Sequence, residues 1–425
     1  MRSVLLVLPL LASCAGGSGG GDDRFGIRTK PVRQVEAGTA YAYALKAENA
    51  GGKLTWELLE GPVGMALSAA GELTWSPVYA DLGEHQVRVG VSDGSDSAEQ
   101  AFFLRVHQGL ALGVTFSPRG HTTGWTAQDF VDHYENRVHG KLVAFHGHWR
   151  DDVTDDGEIP SLITTAFTAA ARYGFTPALG VGWADGEGEP DLTSESDPGN
   201  NSWTNPETAS EFLSMVQDLA ATHQPPYLFL GNETNSYYAT HTAQEWADWV
   251  AVRNQAYNVV KGASPDTMVS TVFQLERMKG LPPFNDPVHW DLVDALETSG
   301  KADALAFTSY PYLAYSTPGA VPLDYYDEIA DHWTGPVVFT EIGWLSAPSG
   351  PYPGGEAEQE AFVGSFFDLT DDLDLEYVTW LFLHDWDGQA GVPAFAGIGF
   401  RDNLAAVLRP ADAAWQAAVV LRERP

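Results

Sequence analysis

The sequence predicts two folded units, a small all-β domain followed by a (β/α)₈ barrel. Short alternating strand patterns fill residues 28–108, whereas apolar strands alternate with amphipathic helices over residues 109–425. The second region contains eight such strands, the number that closes a parallel barrel. A chain of 425 residues also exceeds the usual size of one domain, which favours two units.

The first residues predict export and lipid attachment. Residues 1–13 combine Arg2 with the apolar run Val4–Leu11, which has the form of a signal peptide and is too short to span a bilayer. The end, Leu11-Ala12-Ser13-Cys14, resembles a bacterial lipobox, which implies cleavage before Cys14 and acylation of its thiol. We expect a membrane-anchored lipoprotein on the cell surface or facing the periplasm, with a plain secretory signal as the alternative. Residues 14–27 form a Gly-rich tether.

The composition excludes several classes of function. The chain has 23 Lys and Arg against 57 Asp and Glu, a formal net charge of −34 that repels phosphate backbones and anionic headgroups. A nucleic-acid partner is therefore not expected, and contact with a membrane is expected only through the lipid anchor. A neutral ligand such as a carbohydrate carries no such penalty. We expect a monomer without a cofactor or a metal.

Residues 28–108 have the pattern of a β-sandwich. The expected strands are Tyr41–Leu45, Leu54–Leu58, Glu72–Trp75, His85–Val91 and Ala101–Val106. The spaced elements Gly61-Pro62, Gly71–Pro77 and Val91–Gly94 resemble immunoglobulin/cadherin-like domains of bacterial surface proteins. No cluster of acids accompanies them, so this domain is interpreted as a spacer.

Residues 109–425 carry the barrel pattern. The expected strands are Ala111–Ser117, Leu142–Trp149, Thr176–Trp183, Tyr227–Glu233, Thr267–Gln274, Ala302–Tyr310, Val337–Glu341 and Tyr377–Asp385. The expected helices include Ala127–Val138, Pro206–His223, Ala243–Lys261, Asp286–Ser299, Tyr325–Trp333, Glu356–Leu369 and Ala411–Arg422. Asn205 before Pro206 predicts an N-cap, and Thr242 with Glu245 predicts a capping box. The segment after the first strand, Phe116–His121, lacks the Gly-rich fingerprint of an open nucleotide-binding sheet.

Two glutamates end apolar strands, where a buried carboxylate is costly without a partner or a function. Asn232-Glu233 ends strand four, and Glu341 ends strand seven. This combination resembles the clan A retaining glycoside hydrolases, which are (β/α)₈ barrels with an Asn-Glu pair on strand four and a second Glu on strand seven. The resemblance implies that Glu233 is the acid/base and Glu341 the nucleophile, and that the reaction is hydrolysis of a β-linked oligo- or polysaccharide.

The resemblance also implies substrate contacts around this pair. Asn232 would bond the sugar 2-hydroxyl, Tyr310 would lie against the nucleophile, and Arg119 or Arg150 would support it. Tryptophans that follow strands offer faces on which sugars stack. The expected substrate-binding rings are Trp149, Trp183, Trp344 and, at strand eight, Trp386.

His146 and His148 share one face of strand two and leave a second chemistry open. They could bind a metal together with Asp385, but strands five and six supply no further His or Lys, so we expect them to bond sugar hydroxyls. The acidic loop 184–201 is interpreted as a solvated wall, with calcium as the alternative.

Further acids at strand ends are expected to be solvated loop charges or subsite partners rather than catalytic groups. They are Glu276, Asp385, Asp151 and Asp152. The alternative to an enzyme is a non-catalytic glycan-binding or adhesion lipoprotein. The separation of the two carboxyl groups distinguishes an enzyme from a binding protein: about 5–5.5 Å supports retention, roughly 6.5–9.5 Å suggests inversion, and a larger gap favours binding alone.

Overall fold

A computed structural model describes residues 24–117, 137–150, 161–183, 190–385, 393–402 and 408–424. The chain divides into two compact units, up to Val106 and from His107 onward. Predictions that concern Cys14, Arg119, Asp151, Asp152 and Trp386 lie outside the described residues. Within the described part, no helix is long and apolar enough to cross a membrane.

The first unit is built from short antiparallel strands. They are Gly26–Ile27, Gln34–Glu36, Tyr41–Ala44, Ala47–Glu48, Thr55–Glu60, Ala66–Leu67, Glu72–Trp75, Gly83–Ser92 and Ser97–His107. Four strands form the larger sheet, in which Gly83–Ser92 pairs along its whole length with Ser97–His107. Alternating side chains such as Val87 and Val89 point inward and are fully buried, as the period of a half-buried strand requires. The prediction of an all-β domain is confirmed.

The second unit contains the predicted ring of parallel strands. Strands one to eight are Ala111–Thr115, Leu142–His148, Thr176–Gly182, Tyr227–Leu230, Met268–Gln274, Leu305–Ser309, Val337–Ile342 and Leu375–Trp380, with strand five interrupted at Thr271. Strand one pairs with strands two and eight. The first half of strand five pairs with strand four and its second half with strand six, so the ring closes through strand five.

Side chains fill the barrel, as the alternation of apolar residues along each strand dictates. The interior cluster consists of Ala111, Leu142, Ala178, Tyr227, Phe229, Val272, Ala304, Ala306, Val338 and Tyr377. Neighbouring positions such as Leu228 and Phe307 point outward into the layer that the helices cover. The barrel is therefore closed below, and polar chemistry is confined to the carboxyl ends of its strands.

The described helices around the barrel begin and end at defined residues. They are Ser161–Tyr173, Pro206–His223, Asn235–Thr240, Ala243–Ala263, Leu275–Met278, Asp291–Ser299, Ile329–His332, Glu356–Leu369 and Pro410–Arg422. The Asn205 side chain accepts from the amides of Glu207 and Thr208, and Thr242 forms the predicted capping box.

Two helix predictions need correction, and a third lies mostly outside the described residues. The helices expected to begin at Asp286 and Tyr325 begin later, at Asp291 and Ile329, because turns precede them. The expected helix Ala127–Val138 lies mostly outside the described residues, and its end is the 3₁₀ turn Arg137–His139. The helix Ser161–Tyr173, between strands two and three, and the short helix Asn235–Thr240, after Glu233, were not predicted.

A buried polar cluster holds the last helix against the barrel. Asp412 accepts a hydrogen bond from His139 Nε2 at 2.8 Å and one from Arg401 Nε at 3.3 Å. Burial alone would raise the pKa of Asp412, but the bond to His139 and the charges of His139 and Arg401 hold that pKa below its ordinary value. A depressed folded-state pKa stabilises the fold above the unfolded pKa, and this contribution is lost as the pH falls below about 4.

We expect Asp412→Asn to destabilise the barrel by on the order of 3 kcal/mol, because it removes one partner of a buried charged network. Thermal unfolding at neutral pH measures the loss, which should shrink toward pH 3. The matched control is Asp294→Asn, which removes the carboxylate from a His–Asp pair with His332 at 2.7 Å whose Asp side chain is 57% exposed. The control should change stability by less than about 1 kcal/mol. Equal effects of the two substitutions would contradict this account.

Candidate active site

The chain turns sharply where strand four ends. Gly231 has φ +85°, and a Cβ there would lie 2.4 Å from Thr234 Cγ2 and 2.7 Å from Trp183 Nε1, so only glycine fits. Glu233 follows with φ +46°, a left-handed conformation that costs a non-glycine residue energy and is concentrated at functional sites. The amide of Thr234 donates to Val272 O at 2.9 Å, which ties this turn to strand five.

A β-bulge aims Glu341 into the barrel. Val338 points inward, so simple alternation along strand seven would place Thr340 inside and Glu341 outside. Phe339 pairs with Phe307, however, and Glu341 pairs with Thr308, so Thr340 is an additional residue in strand seven. Such an insertion re-aims the following side chain, and Glu341 accordingly reaches groups on strands two and six.

Thr308 joins the two predicted catalytic residues. It pairs with Glu341 across strands six and seven, and its hydroxyl donates to Glu233 Oε1 at 2.6 Å. Sequence reasoning did not identify Thr308. Its position two residues before Tyr310, on the same face of strand six, is the signal that could have found it.

The environments of the two carboxyl groups raise both pKa values. Burial raises the pKa of Glu233 to about 7, the charge of Glu341 adds to this effect, and the Thr308 hydrogen bond opposes it. Burial also raises the pKa of Glu341 to about 7, opposed by the hydrogen bond that the Tyr310 hydroxyl donates to Glu341 Oε2. Ionisation of Glu341 disfavours ionisation of Glu233, because the negative charge of Glu341 raises the pKa of Glu233. Because a phenol is a stronger donor than an aliphatic hydroxyl, the anion is favoured on Glu341 and the proton on Glu233.

His146 lies on the other side of Glu341. Its Nε2 is 3.7 Å from Glu341 Oε1, and burial lowers the pKa of the imidazole to about 4, so the ring is neutral at pH 7. Neither ring nitrogen has a hydrogen-bond partner among the described residues. Gly180 provides the space, since a Cβ there would lie 2.8 Å from His146 Nδ1. The backbone of His148 belongs to strand two, but its side chain lies outside the described part.

The buried side-chain oxygen of Asn232 is also without a hydrogen-bond partner in the part of the chain that the structure describes. A buried amide oxygen costs free energy unless a donor reaches it. This position, one residue before Glu233, leaves the oxygen available to a hydroxyl group of a ligand.

The expected role of three tryptophans as sugar platforms is corrected. Trp149, Trp183 and Trp344 are at most 2% exposed. Trp149 packs on Phe212, Trp183 packs on Trp249 and Tyr237, and Trp344 packs on Phe362. These rings fill space behind the site, because helices cover the outer face of the strands from which they emerge.

Arg150 does not support the nucleophile. Its guanidinium forms ion pairs with Asp191 at 3.5 Å and Glu211 at 3.1 Å and stacks over Trp149. Of the two arginines predicted to support Glu341, Arg150 therefore pairs with acids of residues 190–211 instead. Neutral His146, not Arg150, is the described basic side chain next to Glu341.

Asp385, the acid expected for the alternative metal site, is bound by other groups of the protein. Asp385 accepts two hydrogen bonds from Arg409, at 2.9 and 2.6 Å, and one from the amide of Gly399 at 2.9 Å. No group of three or more potential His, Cys, Asp or Glu ligands occurs within the described ranges. In the described part of the acidic loop, Asp191 pairs with Arg150, and the amide of Leu192 donates to Asn201.

Of the two roles expected for Glu276, a solvated loop charge or a subsite partner, the structure contradicts the first. Glu276 lies in the short helix Leu275–Met278 directly after strand five and is fully buried. Burial raises the pKa of its carboxyl group, and hydrogen bonds from the Tyr310 amide and from the Tyr325 and Ser309 hydroxyls counteract this effect in part. The site thus contains a third acid besides Glu233 and Glu341.

Comparison with known proteins assigns both units to known folds. The family model described as "Putative Ig domain" matches residues 27–107. No curated protein sequence matches the chain.

Solved structures similar to the chain are glycoside hydrolases. A family 39 enzyme from the gut symbiont Bacteroides cellulosilyticus WH2 has 16% identity and a TM-score of 0.51 over 93% of this chain and 82% of that chain. A GH5_18 variant from Bifidobacterium longum subsp. longum ATCC 55813, in complex with Manb1-4GlcNAc, has 15% identity and a TM-score of 0.56 over 74% and 80%. The exo-beta-1,4-mannosidase Op5Man5 from Opitutaceae bacterium strain TAV5 has 14% identity and a TM-score of 0.54 over 73% and 59%.

These likenesses show the fold. The second unit has a (β/α)₈ barrel fold similar to that of these glycoside hydrolases, and an immunoglobulin-like domain precedes it.

Proposed function

We propose that the protein is a retaining glycoside hydrolase that cleaves a β-linked oligo- or polysaccharide, with Glu233 as acid/base and Glu341 as nucleophile. The observation that carries this proposal is the pair of carboxyl groups, of half-buried Glu233 and buried Glu341, that flank Thr308 at the carboxyl ends of strands four and seven. Because Thr308 contacts Glu233 and pairs with Glu341, both carboxyl groups belong to one site, and the proposal requires them to be about 5–5.5 Å apart, as retention needs.

In the first step, a Glu341 oxygen forms a bond to the anomeric carbon while the glycosidic carbon–oxygen bond breaks. Its electron pair passes to the leaving oxygen, which takes the proton of Glu233. In the second step, Glu233 removes a proton from water, the water oxygen attacks the anomeric carbon, and the bond to Glu341 breaks. The free amide oxygen of Asn232 and the neutral His146 offer hydrogen bonds to sugar hydroxyls on either side.

The substrate is proposed to be a neutral glycan. Three acids converge on the site, and the protein carries a net charge of −34, so an anionic sugar would be repelled. Among the similar structures, one is a mannosidase and another holds a β-mannoside, which gives β-mannosides priority in a screen. The predicted anchor at Cys14 would hold this activity at a membrane surface.

The experiment is a screen of the purified protein on aryl β-mannosides, β-glucosides, β-galactosides and β-xylosides and on the corresponding polysaccharides. Release of aglycone or reducing ends from at least one substrate is expected. A folded protein that binds a glycan of the panel without cleaving any would instead be a glycan-binding lipoprotein.

A cavity of about 260 Å³ offers a place for the leaving group. Its walls include Tyr238, His241, Asp286 and His289. Tyr238 belongs to the helix that begins two residues after Glu233, and Asp286 bonds Arg277, whose charge acts on Glu233. We propose that this cavity is on the side of Glu233 from which the leaving sugar departs.

We expect Tyr238→Ala to lower kcat/KM for an oligosaccharide roughly 5- to 10-fold, because one aromatic contact to the leaving sugar is lost. An aryl glycoside of the same sugar should be affected less than about twofold, since it lacks that sugar. The control is Tyr173→Ala. Tyr173 ends the helix Ser161–Tyr173, just before the amino-terminal end of strand three and thus at the face opposite the carboxyl ends that carry the site. Equal losses on both substrates would place Tyr238 outside a leaving-group subsite.

A further inference from the structure

Glu276 is a fully buried carboxylate that the proposed reaction does not consume. Burial of a carboxylate costs several kcal/mol unless hydrogen bonds replace its lost hydration. A fold that merely needed to close the end of strand five could use an apolar side chain. The partners of Glu276 therefore indicate why a charged group occupies this position.

Three of those partners come from two strand ends, and the fourth, Tyr325, precedes the helix Ile329–His332. Glu276 Oε2 accepts from Gln274 Nε2 at 2.6 Å, at the end of strand five. Glu276 Oε1 accepts from the amide of Tyr310 at 2.9 Å, from the Ser309 hydroxyl at 2.9 Å and from the Tyr325 hydroxyl at 2.8 Å. One carboxylate thus fixes the end of strand six relative to strand five.

Glu276 accepts a hydrogen bond from the backbone amide of Tyr310, whose side chain contacts the proposed nucleophile Glu341. Tyr310 donates its hydroxyl to Glu341 Oε2 and is 1% exposed, so its ring has no freedom to compensate for a shift of its backbone. The chain of contacts runs from Gln274 through Glu276 and Tyr310 to Glu341.

We propose that Glu276 is a positioning residue that holds Tyr310 against the nucleophile and thereby aligns Glu341 for attack. This inference rests on the proposed function. Among the described residues, Glu276 forms no hydrogen bond with Glu233 or Glu341, so its effect on the position of Glu341 passes through the Tyr310 hydroxyl. The charge of Glu276 contributes separately to the raised pKa of Glu233.

Glu276→Gln tests the inference with little change of shape. The amide of Tyr310 and the Gln274 NH₂ group are donors only, and the Gln274 oxygen is already bound by the amide of Arg277. The glutamine side chain has two orientations, related by a flip of its amide. In one its NH₂ group faces the Tyr310 amide, and in the other it faces the Gln274 NH₂ group. One contact is lost, and the end of strand six shifts.

On an aryl glycoside that the wild type cleaves, we expect Glu276→Gln to lower kcat roughly 10- to 100-fold with little change in KM, because a small misplacement has such effects. The matched control is Asp412→Asn, a buried acid of the same barrel that lies outside the site. It should lower the Tm but leave kcat unchanged at a temperature where both variants are folded. Unchanged kcat in Glu276→Gln would overturn the proposal.

A double-mutant cycle shows whether Tyr310 transmits the effect. Adding Glu276→Gln to Tyr310→Phe should cost less than about threefold beyond Tyr310→Phe alone, since residues that act as a unit are not additive. If Glu276→Gln lowers kcat by the same factor in both backgrounds, Glu276 does not act through Tyr310 and the proposal is wrong.

Two further measurements keep the test decisive. If Glu276→Gln does not fold, Glu276→Asp retains the charge but is too short to reach both strand ends, and a wild-type kcat in this variant would overturn the proposal. A crystal structure of either variant should show the Tyr310 hydroxyl displaced from Glu341 Oε2. If the hydroxyl has not moved in the variant, the inference is contradicted even when no substrate is known. If the hydroxyl is displaced in the variant but the wild-type protein cleaves no substrate, only the proposed function is contradicted.

Discussion

Glu341→Gln should abolish turnover of every glycoside, with a loss of roughly 10⁴-fold or more. The substitution removes the oxygen anion that forms the bond to the anomeric carbon, so no glycosyl-enzyme intermediate can accumulate. A reactive leaving group does not help, because departure still needs a nucleophile. Initial rates on an aryl glycoside and an oligosaccharide measure the loss.

The control for this experiment is Glu376→Gln. Glu376 also lies on a barrel strand, but at its amino-terminal end, where it bonds Tyr227 and Arg424 at 2.6 Å. We expect the kcat of Glu376→Gln to remain within about twofold of the wild type, because the carboxyl ends of the strands, which carry the chemistry, are at the opposite end of the barrel. Activity of Glu341→Gln comparable to that of the control would exclude Glu341 as the nucleophile.

Glu233→Gln should produce a loss that depends on the leaving group. Removal of the general acid costs about 10²–10⁴-fold on an oligosaccharide, whose leaving oxygen needs a proton. The first step with an activated aryl glycoside needs little protonation, so the glycosyl-enzyme should form and azide should release it as the β-glycosyl azide. Equal losses on both substrates, without azide rescue, would contradict the acid/base assignment.

The same variant should change the pH profile. Because burial and the charge of Glu341 raise the pKa of Glu233 to about 7, the acid stays protonated up to that pH. Wild-type kcat/KM on an oligosaccharide should therefore fall as the pH rises through about 7, and this alkaline limb should be absent in Glu233→Gln. The limb should also be weak for the activated substrate, which does not depend on the acid.

The sequence predicted the barrel well because its strands bury apolar side chains on both faces and their order leaves few topologies. It located Glu233 and Glu341 because carboxylates that follow apolar strands are conspicuous. The direction of the Glu341 side chain, however, could not be predicted from the alternation of inward and outward residues along its strand. A bulge at Thr340 turns Glu341 inward, and bulges depend on pairing with a neighbouring strand rather than on local sequence.

The errors at the site have a common physical origin. Trp149, Trp183 and Trp344 follow strands, but whether a ring faces the cleft or the helices depends on loop packing that no periodicity describes. Glu276 looked like an ordinary loop acid because its donors, Ser309, Tyr310 and Tyr325, are more than 30 residues away in the chain. Arg150 was a candidate by position, and its distant partners Asp191 and Glu211 decided otherwise.

Covalent trapping tests the central claim most directly. The 2-deoxy-2-fluoro glycoside of the preferred sugar, with an activated leaving group, slows both steps but allows the first to proceed, so the intermediate accumulates. After digestion, mass spectrometry should locate the fluoro sugar on Glu341, and the Glu341→Gln variant should remain unlabelled. A label on another residue, or an unlabelled active enzyme whose first product has inverted anomeric configuration, would contradict the retaining mechanism proposed for Glu341.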